Sequence, residues 1–285
     1  ARNRLMTQTA ELITDPDIVE VELDYIVDDG IPAVRYMDWP EMQHKAHKPA
    51  YEKKLVPIHN GRADPAQFTL PSHGFSFVDH DTKVRDFYDE DEVRAVYYPE
   101  TEALIQAHSG GAKRVLVFDH TLRTAEQARQ QADRVRKAVY SVHNDYTERS
   151  APQRVRDFLP EDEVEAALEK RYAIIQTWRS IAPRVERDPL ALCDGKTIPE
   201  EGFIPYQRRY RYRTGETYHI SYNPAHRWFW FPQMTREEAL VFKVYDTDAS
   251  AGVRFTAHTA FDDPNTPPDA AIRESIEMRA LVFYD

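Results

Sequence analysis

Beyond a loop marked by Pro183, Pro189, Gly195 and Pro199, the chain turns to short β-forming runs and keeps to them until its end. This restricts the fold more than any other feature of the sequence. Residues 206–213, 217–222, 227–231 and 240–246 are strand candidates, separated by Gly215, Pro224 and Pro232-Gln233. Residues 253–284 add two more, joined as a hairpin by the turn D-D-P-N-T-P-P-D. Many short antiparallel strands with turn signals at this spacing pack as a sandwich, a barrel or a jelly roll. The 12% aromatic content supplies large side chains for a β-rich core or a lined pocket.

Upstream, residues 18–23, 33–36, 74–79 and 115–118 read as strands. Pro49, Pro57, Pro65 and Pro71 predict a long irregular segment over residues 48–75. Pro99 opens a short helix over 100–108, while 124–137 suits either a helix or an extended segment. Residues 139–147 read as a strand. Residues 161–178 read as the clearest helix, with acidic residues in the first turn and Val164, Leu168, Tyr172 and Ile175 at helical spacing. At 285 residues one domain is expected: residues 1–110 as an N-terminal extension with loops packed on the core, and 111–285 as the core with a helix inserted near 161–178.

The formal charge of −11 argues against a nucleic-acid partner, which needs clustered cations to displace counterions. No apolar run approaches the length of a membrane span. The single cysteine, Cys193, rules out an intramolecular disulfide and suits a reducing compartment, so a cytoplasmic protein with a small-molecule substrate is expected, its oligomeric state open.

The chemistry-bearing residues lie in two stretches. In V-Y-S-V-H-N-D-Y-T, strand alternation puts His143 and Asp145 on one face. In residues 253–284, His258 precedes Arg273-Glu274-Ser275, the one R-x-S of the chain. Two imidazoles and a carboxylate suit Fe(II) and leave positions open for an oxo acid and O2. A glycine or alanine in place of Asp145 would open a halide position, so the aspartate argues against halogenation. The far carboxylate of a 2-oxo diacid calls for a bidentate cation with a hydroxyl beside it, as Arg273 and Ser275 offer. Arg279 has the same parity and is a rival anchor.

These residues, with V-F-D-H-T at 117–121, V-H-N-D-Y-T at 142–147, W-R at 178–179, P-L-A-L-C-D at 189–194 and the R-F-T-A-H-T-A-F-D-D-P and R-E-S-I-E-M-R-A-L-V-F-Y-D segments, resemble the Fe(II)/2-oxoglutarate dioxygenases. The nearer likeness is to the branch with gibberellin desaturase-like and cephalosporin methoxylation-related proteins of secondary metabolism. The resemblance implies a mainly β double-stranded β-helix (a cupin-like jelly roll) with flanking helices. It further implies His143, Asp145 and His258 as iron ligands, and Arg273 with Ser275 holding 2-oxoglutarate. Oxidation of an unactivated C–H bond, by hydroxylation, desaturation or ring closure with release of succinate and CO2, would follow. The turn between His258 and Arg273 is longer than the wider family shows, which keeps Arg279 in play. Arg179, Tyr222 and Trp228 are substrate-pocket candidates, and the alternating Arg208–Arg213 run is a solvated strand face or an anionic-substrate contact. Two other readings compete: a metal-dependent oxidase that needs no 2-oxoglutarate, and a non-catalytic β-sandwich binding protein.

Overall fold

A computed structural model describes residues 15–126 and 135–285. The strands, in chain order, are β1 Ile18–Ile26, β2 Ala33–Tyr36, β3 Tyr51–Asn60, β4 Phe75–Asp79, β5 Arg114–Thr124, β6 Val135–Arg136, β7 His143–Asn144 and β8 Tyr172–Ser180. They continue with β9 Leu190–Cys193, β10 Phe203–Arg209, β11 Thr214–Ile220, β12 Trp228–Trp230, β13 Glu238–Asp246, β14 His258–Ala260 and β15 Glu274–Phe283. They form a nine-stranded sheet, β1-β3-β12-β9-β14-β7-β11-β10-β2, and a six-stranded sheet, β4-β13-β8-β15-β5-β6. Mostly non-consecutive neighbours, with β10–β11 and β5–β6 the exceptions, and a shared core between the two sheets make this a double-stranded β-helix, or jelly roll.

Alternation along β15 shows how the layers are specified. Ile276, Met278, Ala280 and Val282 face outward and pack with Leu104 and Ile105 of the helix Tyr98–His108. Residues of the other parity face the space between the sheets: Leu281 and Phe283 join the apolar inter-sheet core, whereas Ser275, Glu277 and Arg279 carry polar groups into it. The inter-sheet space therefore has an apolar half and a polar half, and the polar half holds the site.

The nine-stranded sheet also curls behind itself. Bridges Asp24–Ser141 and Ile26–Ser221 bring β1 back onto the segment around β7 and β11. Leu23, Tyr25, Ala191, Cys193, Trp228 and Trp230 fill the enclosed layer. The N-terminal strands are thus members of the sheets: β1, β2 and β3 belong to the larger and β4 to the smaller.

Several sequence expectations change. The segment expected to be irregular contains the ten-residue strand β3. Its Pro57 pairs with Glu20 of β1 but lies outside the register of β12, which starts opposite Ile58, so the missing N–H leaves no gap in the ladder. The helix expected over 161–178 ends at Leu168, and residues 172–180 form β8. All nine residues of β8 are buried, because sheet neighbours flank it and both faces are covered. A strand without a polar face shows no alternation, and its apolar residues mimicked helical spacing. The strand expected over 139–147 shrinks to His143–Asn144. The expected 253–284 hairpin does not exist: β14 pairs with β7 and β9 in one sheet, and β15 pairs with β5 and β8 in the other. Of the ambiguous 124–137 stretch, Val135–Arg136 is a strand and residues 127–134 lie outside the described residues.

Candidate metal centre

The two histidines are set by backbone pairing. His143 and His258 are direct register partners across β7 and β14, which brings their rings to 4.4 Å between centroids, tilted 55° to each other, on the inner face of the larger sheet. Asp145 follows two residues after His143. One donor atom from each of the three lies within 4.8 Å of the others. Nδ1 of His143 lies 2.8 Å from the Ser141 carbonyl, and Nδ1 of His258 lies 3.4 Å from that of Thr256. With Nδ1–H donating to a carbonyl, each ring is held in the tautomer that turns a lone pair on Nε2 towards the cluster.

The loop carrying the aspartate is tied down from three sides. Asn144, fully buried, donates to the carbonyls of Tyr146 (2.7 Å) and Val244 (2.9 Å), and its Oδ1 accepts from the N–H of Thr256 (3.2 Å). Thr256 in turn donates to the Gly74 carbonyl at 3.0 Å. Gly74 has φ +96°, and a Cβ there would collide with Thr256 Oγ1, so glycine is required for this approach. Gln176 of β8 donates to Asp145 Oδ2 at 2.6 Å.

A narrow recess opens beside the histidines, lined by His143, His258, Trp178, Arg123, Arg273 and Glu277 among others. Within it Arg123 is bound bidentately by Glu277, at 2.9 and 3.0 Å. Arg273 is 4% exposed and lies 5.6 Å from the Trp178 ring, yet it donates to the Asp188 carbonyl, at 2.6 Å, and has no carboxylate partner among the described residues. Ser275 Oγ, also buried, has no hydrogen-bond partner. A buried cation without an anion and an orphaned hydroxyl two residues away are costly unless a ligand completes them.

A family model described as an oxidoreductase/YMDC permease-like domain matches residues 23–283. The alpha-ketoglutarate-dependent dioxygenase tstK of Talaromyces stipitatus is 30% identical over 241 residues, covering 80% of this chain and 84% of its own. The corresponding phiK of a fungal species is 31% identical over 228 residues, covering 76% and 80%. The chain belongs to this family of oxidoreductases, and within it to the Fe(II)/2-oxoglutarate-dependent oxygenases. The structure of the iron and alpha-ketoglutarate-dependent endoperoxidase NvfI superimposes on the oxygenase with a TM-score of 0.82 at 24% identity, covering 94% of this chain and 98% of that one, and so shares its fold. Fe(II), 2-oxoglutarate and O2 are therefore its cofactor and cosubstrates. Among the described residues no helix is long and apolar enough to cross a membrane.

Electrostatics around the oxygenase's cluster suit a cation. Burial pushes the Asp145 carboxyl up, but the hydrogen bond with His143 and the charges of His258, His143 and Arg279 outweigh it and hold it well below the usual carboxylate range. Burial, with the neighbouring His143, pulls His258 down to about 4, leaving it a neutral donor. Burial raises Glu277, but Arg123 and Arg279 bring it to about 2. Arg273 is pulled down to about 10 by burial and by the charge of Arg123.

The other sequence candidates fall elsewhere in the oxygenase. Arg279 is bound by Glu277, by Thr121 Oγ1 at 3.0 Å and by Asp119 at 3.4 Å, with Asp145 Oδ2 at 3.9 Å from its Nε. Arg179, Tyr222 and Trp228, the substrate-pocket candidates, line neither this recess nor the larger cavity on the Asp145 side. Arg179 is fully buried on the opposite face of β8, bonded to Tyr97 Oη, the Arg236 carbonyl and His80. Trp228 donates to Tyr25 Oη at 2.8 Å in the layer behind the nine-stranded sheet, and Tyr222 packs edge-on against that same Tyr25. The reason is parity: side chains on the back of a strand cannot reach the front. Sequence reading missed Asn144, Gln176, Arg123 and Glu277. Only Glu277 carried a local signal, as it shares parity with Ser275 and Arg279 in R-E-S-I-E-M-R.

Proposed function

We propose that His143, Asp145 and His258 hold the Fe(II), and that Arg273 with Ser275 holds the far carboxylate of 2-oxoglutarate, so that the oxygenase oxidises an unactivated C–H bond of a small secondary-metabolite precursor. The observation that carries this reading is the buried Arg273 guanidinium, which has no carboxylate partner among the described residues, in the recess that the two histidines also line, with the orphaned Ser275 hydroxyl two residues on. Bound at the cluster, iron with 2-oxoglutarate and O2 supplies the oxidising power, and succinate and CO2 are the coproducts.

The remaining work belongs to the chain. Two neutral imidazoles and one carboxylate leave a divalent ion with net positive charge, which favours a dianionic cosubstrate. Gln176 fixes one Asp145 oxygen and leaves the other, 3.3 Å from His143 Nε2, directed at the cluster. Trp178 forms an apolar wall against the Arg273 guanidinium, strengthening its attraction for a carboxylate by excluding water. Arg279 acts as a countercharge for Glu277, Asp119 and Asp145, which makes it the weaker anchor. Hydroxylation, desaturation and ring closure differ in how the substrate is oriented, and the ligand set serves all three. A cytoplasmic location is part of this reading, supported by the free, buried Cys193.

The test is an anaerobic titration with Fe(II) and then 2-oxoglutarate, following the visible charge-transfer band of the chelated oxo acid. A band that persists in Arg279→Gln and is displaced to much higher 2-oxoglutarate concentration in Arg273→Gln supports the assignment. The reverse pattern moves the anchor to Arg279, and bound iron without a band favours an oxidase.

A further inference from the structure

The cluster has a second approach. On the Asp145 side lies a cavity of ≈ 480 Å³, far larger than the Arg273 recess. One wall is the helix Ser150–Phe158 and the other is the β10–β11 hairpin, which carries Tyr206, Arg208, Arg213 and Thr217. The larger space is the one with room for the molecule that is oxidised.

Its charges are unevenly satisfied. Asp157 is engaged by Gln153 (2.8 Å) and Arg154 (3.0 Å), and Glu216 by Thr147 (2.6 Å) and Gln207 (2.7 Å). Asp145 is held by Gln176, and Asp119 faces Arg279. Arg154 and Arg279 are thereby partnered. Arg208 and Arg213 line the same cavity and have no carboxylate partner among the described residues; Arg213 lies over the Tyr210 ring at 4.5 Å. On the same wall the buried Thr217 hydroxyl has no hydrogen-bond partner. Register places Thr217 opposite Tyr206, and Tyr206 packs on His219 at 4.9 Å between ring centroids. His219 is the direct strand partner of His143, with its ring 6.2 Å away. Tyr206 and Arg208, two apart on one strand, therefore lead from the cluster to the mouth along one face.

Resting on the functional reading above, we infer that this cavity is the substrate chamber and that it takes a small organic anion, whose carboxylate or equivalent anionic oxygen is held by Arg208 with Arg213 behind it. Tyr206 supplies a flat apolar surface for the carbon skeleton, and Thr217 a hydroxyl for a further substrate oxygen. The alternation of arginine with tyrosine over residues 208–213 thus has a use beyond a solvated face: Arg208 supplies the charge that the acidic chain as a whole lacks.

The test uses a matched pair of probes, phenylacetate and phenylacetamide, which differ in charge but hardly in shape. Each is titrated calorimetrically, without O2, into protein loaded with Fe(II) and saturating 2-oxoglutarate. Phenylacetate is expected to bind at least about tenfold more tightly. Arg208→Gln should bring that ratio close to one, and Arg208→Lys should restore part of it. Arg208 is exposed, so both variants should fold, and thermal melting checks this. Equal binding of the two probes, no binding of either, or a preference that survives Arg208→Gln overturns the inference. Failure of the functional reading is seen separately, as loss of the 2-oxoglutarate band in the unsubstituted protein before any probe is added.

Discussion

Arg273 and Arg279 lie on the same segment, share parity and flank the same cluster, yet their surroundings give them opposite tasks. Arg279 is enclosed by Glu277, Asp119 and Asp145, and these acids hold its pKa above the ordinary value against the effect of burial. Arg273 is just as deep in the protein, but among the described residues it meets a backbone carbonyl and an aromatic face and no carboxylate at salt-bridge distance, and its pKa is pulled down to about 10 by burial and by Arg123. A buried cation that already has its anions contributes to the fold; one that lacks them is set to receive a ligand. The comparison teaches that an anion-binding arginine is recognised by its unmet valence rather than by its place in a motif.

The largest effect should come from the cluster between them: His143→Ala or His258→Ala abolishes tight Fe(II) binding, measured by metal retention after dialysis, and undiminished retention would move the centre elsewhere. Next, Arg279→Leu removes one of the two cations that hold buried Glu277 and the arginine nearest Asp145, and is expected to cost about 3 kcal/mol in chemical denaturation. A loss below 1 kcal/mol would erase the contrast with Arg273. Arg273→Gln should weaken 2-oxoglutarate binding about 100-fold, close to 3 kcal/mol, while leaving metal-free stability nearly unchanged.

The layer behind the sheet offers a control far from both arginines. Burial holds His226 down to about 4. As pH falls from about 6.5 towards 4, the unfolded chain takes up a proton there that the folded protein refuses, so the metal-free protein loses stability, by at most about 1.4 kcal/mol per pH unit from this group. His226→Gln should make the measured slope shallower; an unchanged slope would assign it to other groups. Smallest of all, Trp228→Phe removes the bond to Tyr25 and some packing for about 1–2 kcal/mol, and 2-oxoglutarate affinity should stay as it was.

The chemistry was the more legible part of the sequence. H-x-D, a later histidine and R-x-S are short strings of chemically specific types, and strand alternation relates members of a string without knowledge of the fold. The partners that tune them were not legible. Gln176 reaches Asp145 across 31 residues, and Arg123 reaches Glu277 across 154. No local pattern records such pairings. Gln176 was further hidden because β8, buried on both faces, lacks the polar period that marks a strand, and because Val164 and Leu168 on the true helix continue in phase with Tyr172 and Ile175.

By itself the sequence determined the class of fold, the identity of the cluster residues and the presence of two arginines fit to hold an anion. These follow from residue type, turn signals and a two-residue period, all of which act over a few positions. Only the tertiary structure decided that His258 lies in one sheet while Arg273 leads into a strand of the other, that Trp228 and Arg179 face away from the site, and that one arginine of the pair is spoken for. Those are matters of which surfaces meet and which charges find partners, and they are set by burial and pairing between segments far apart in the chain.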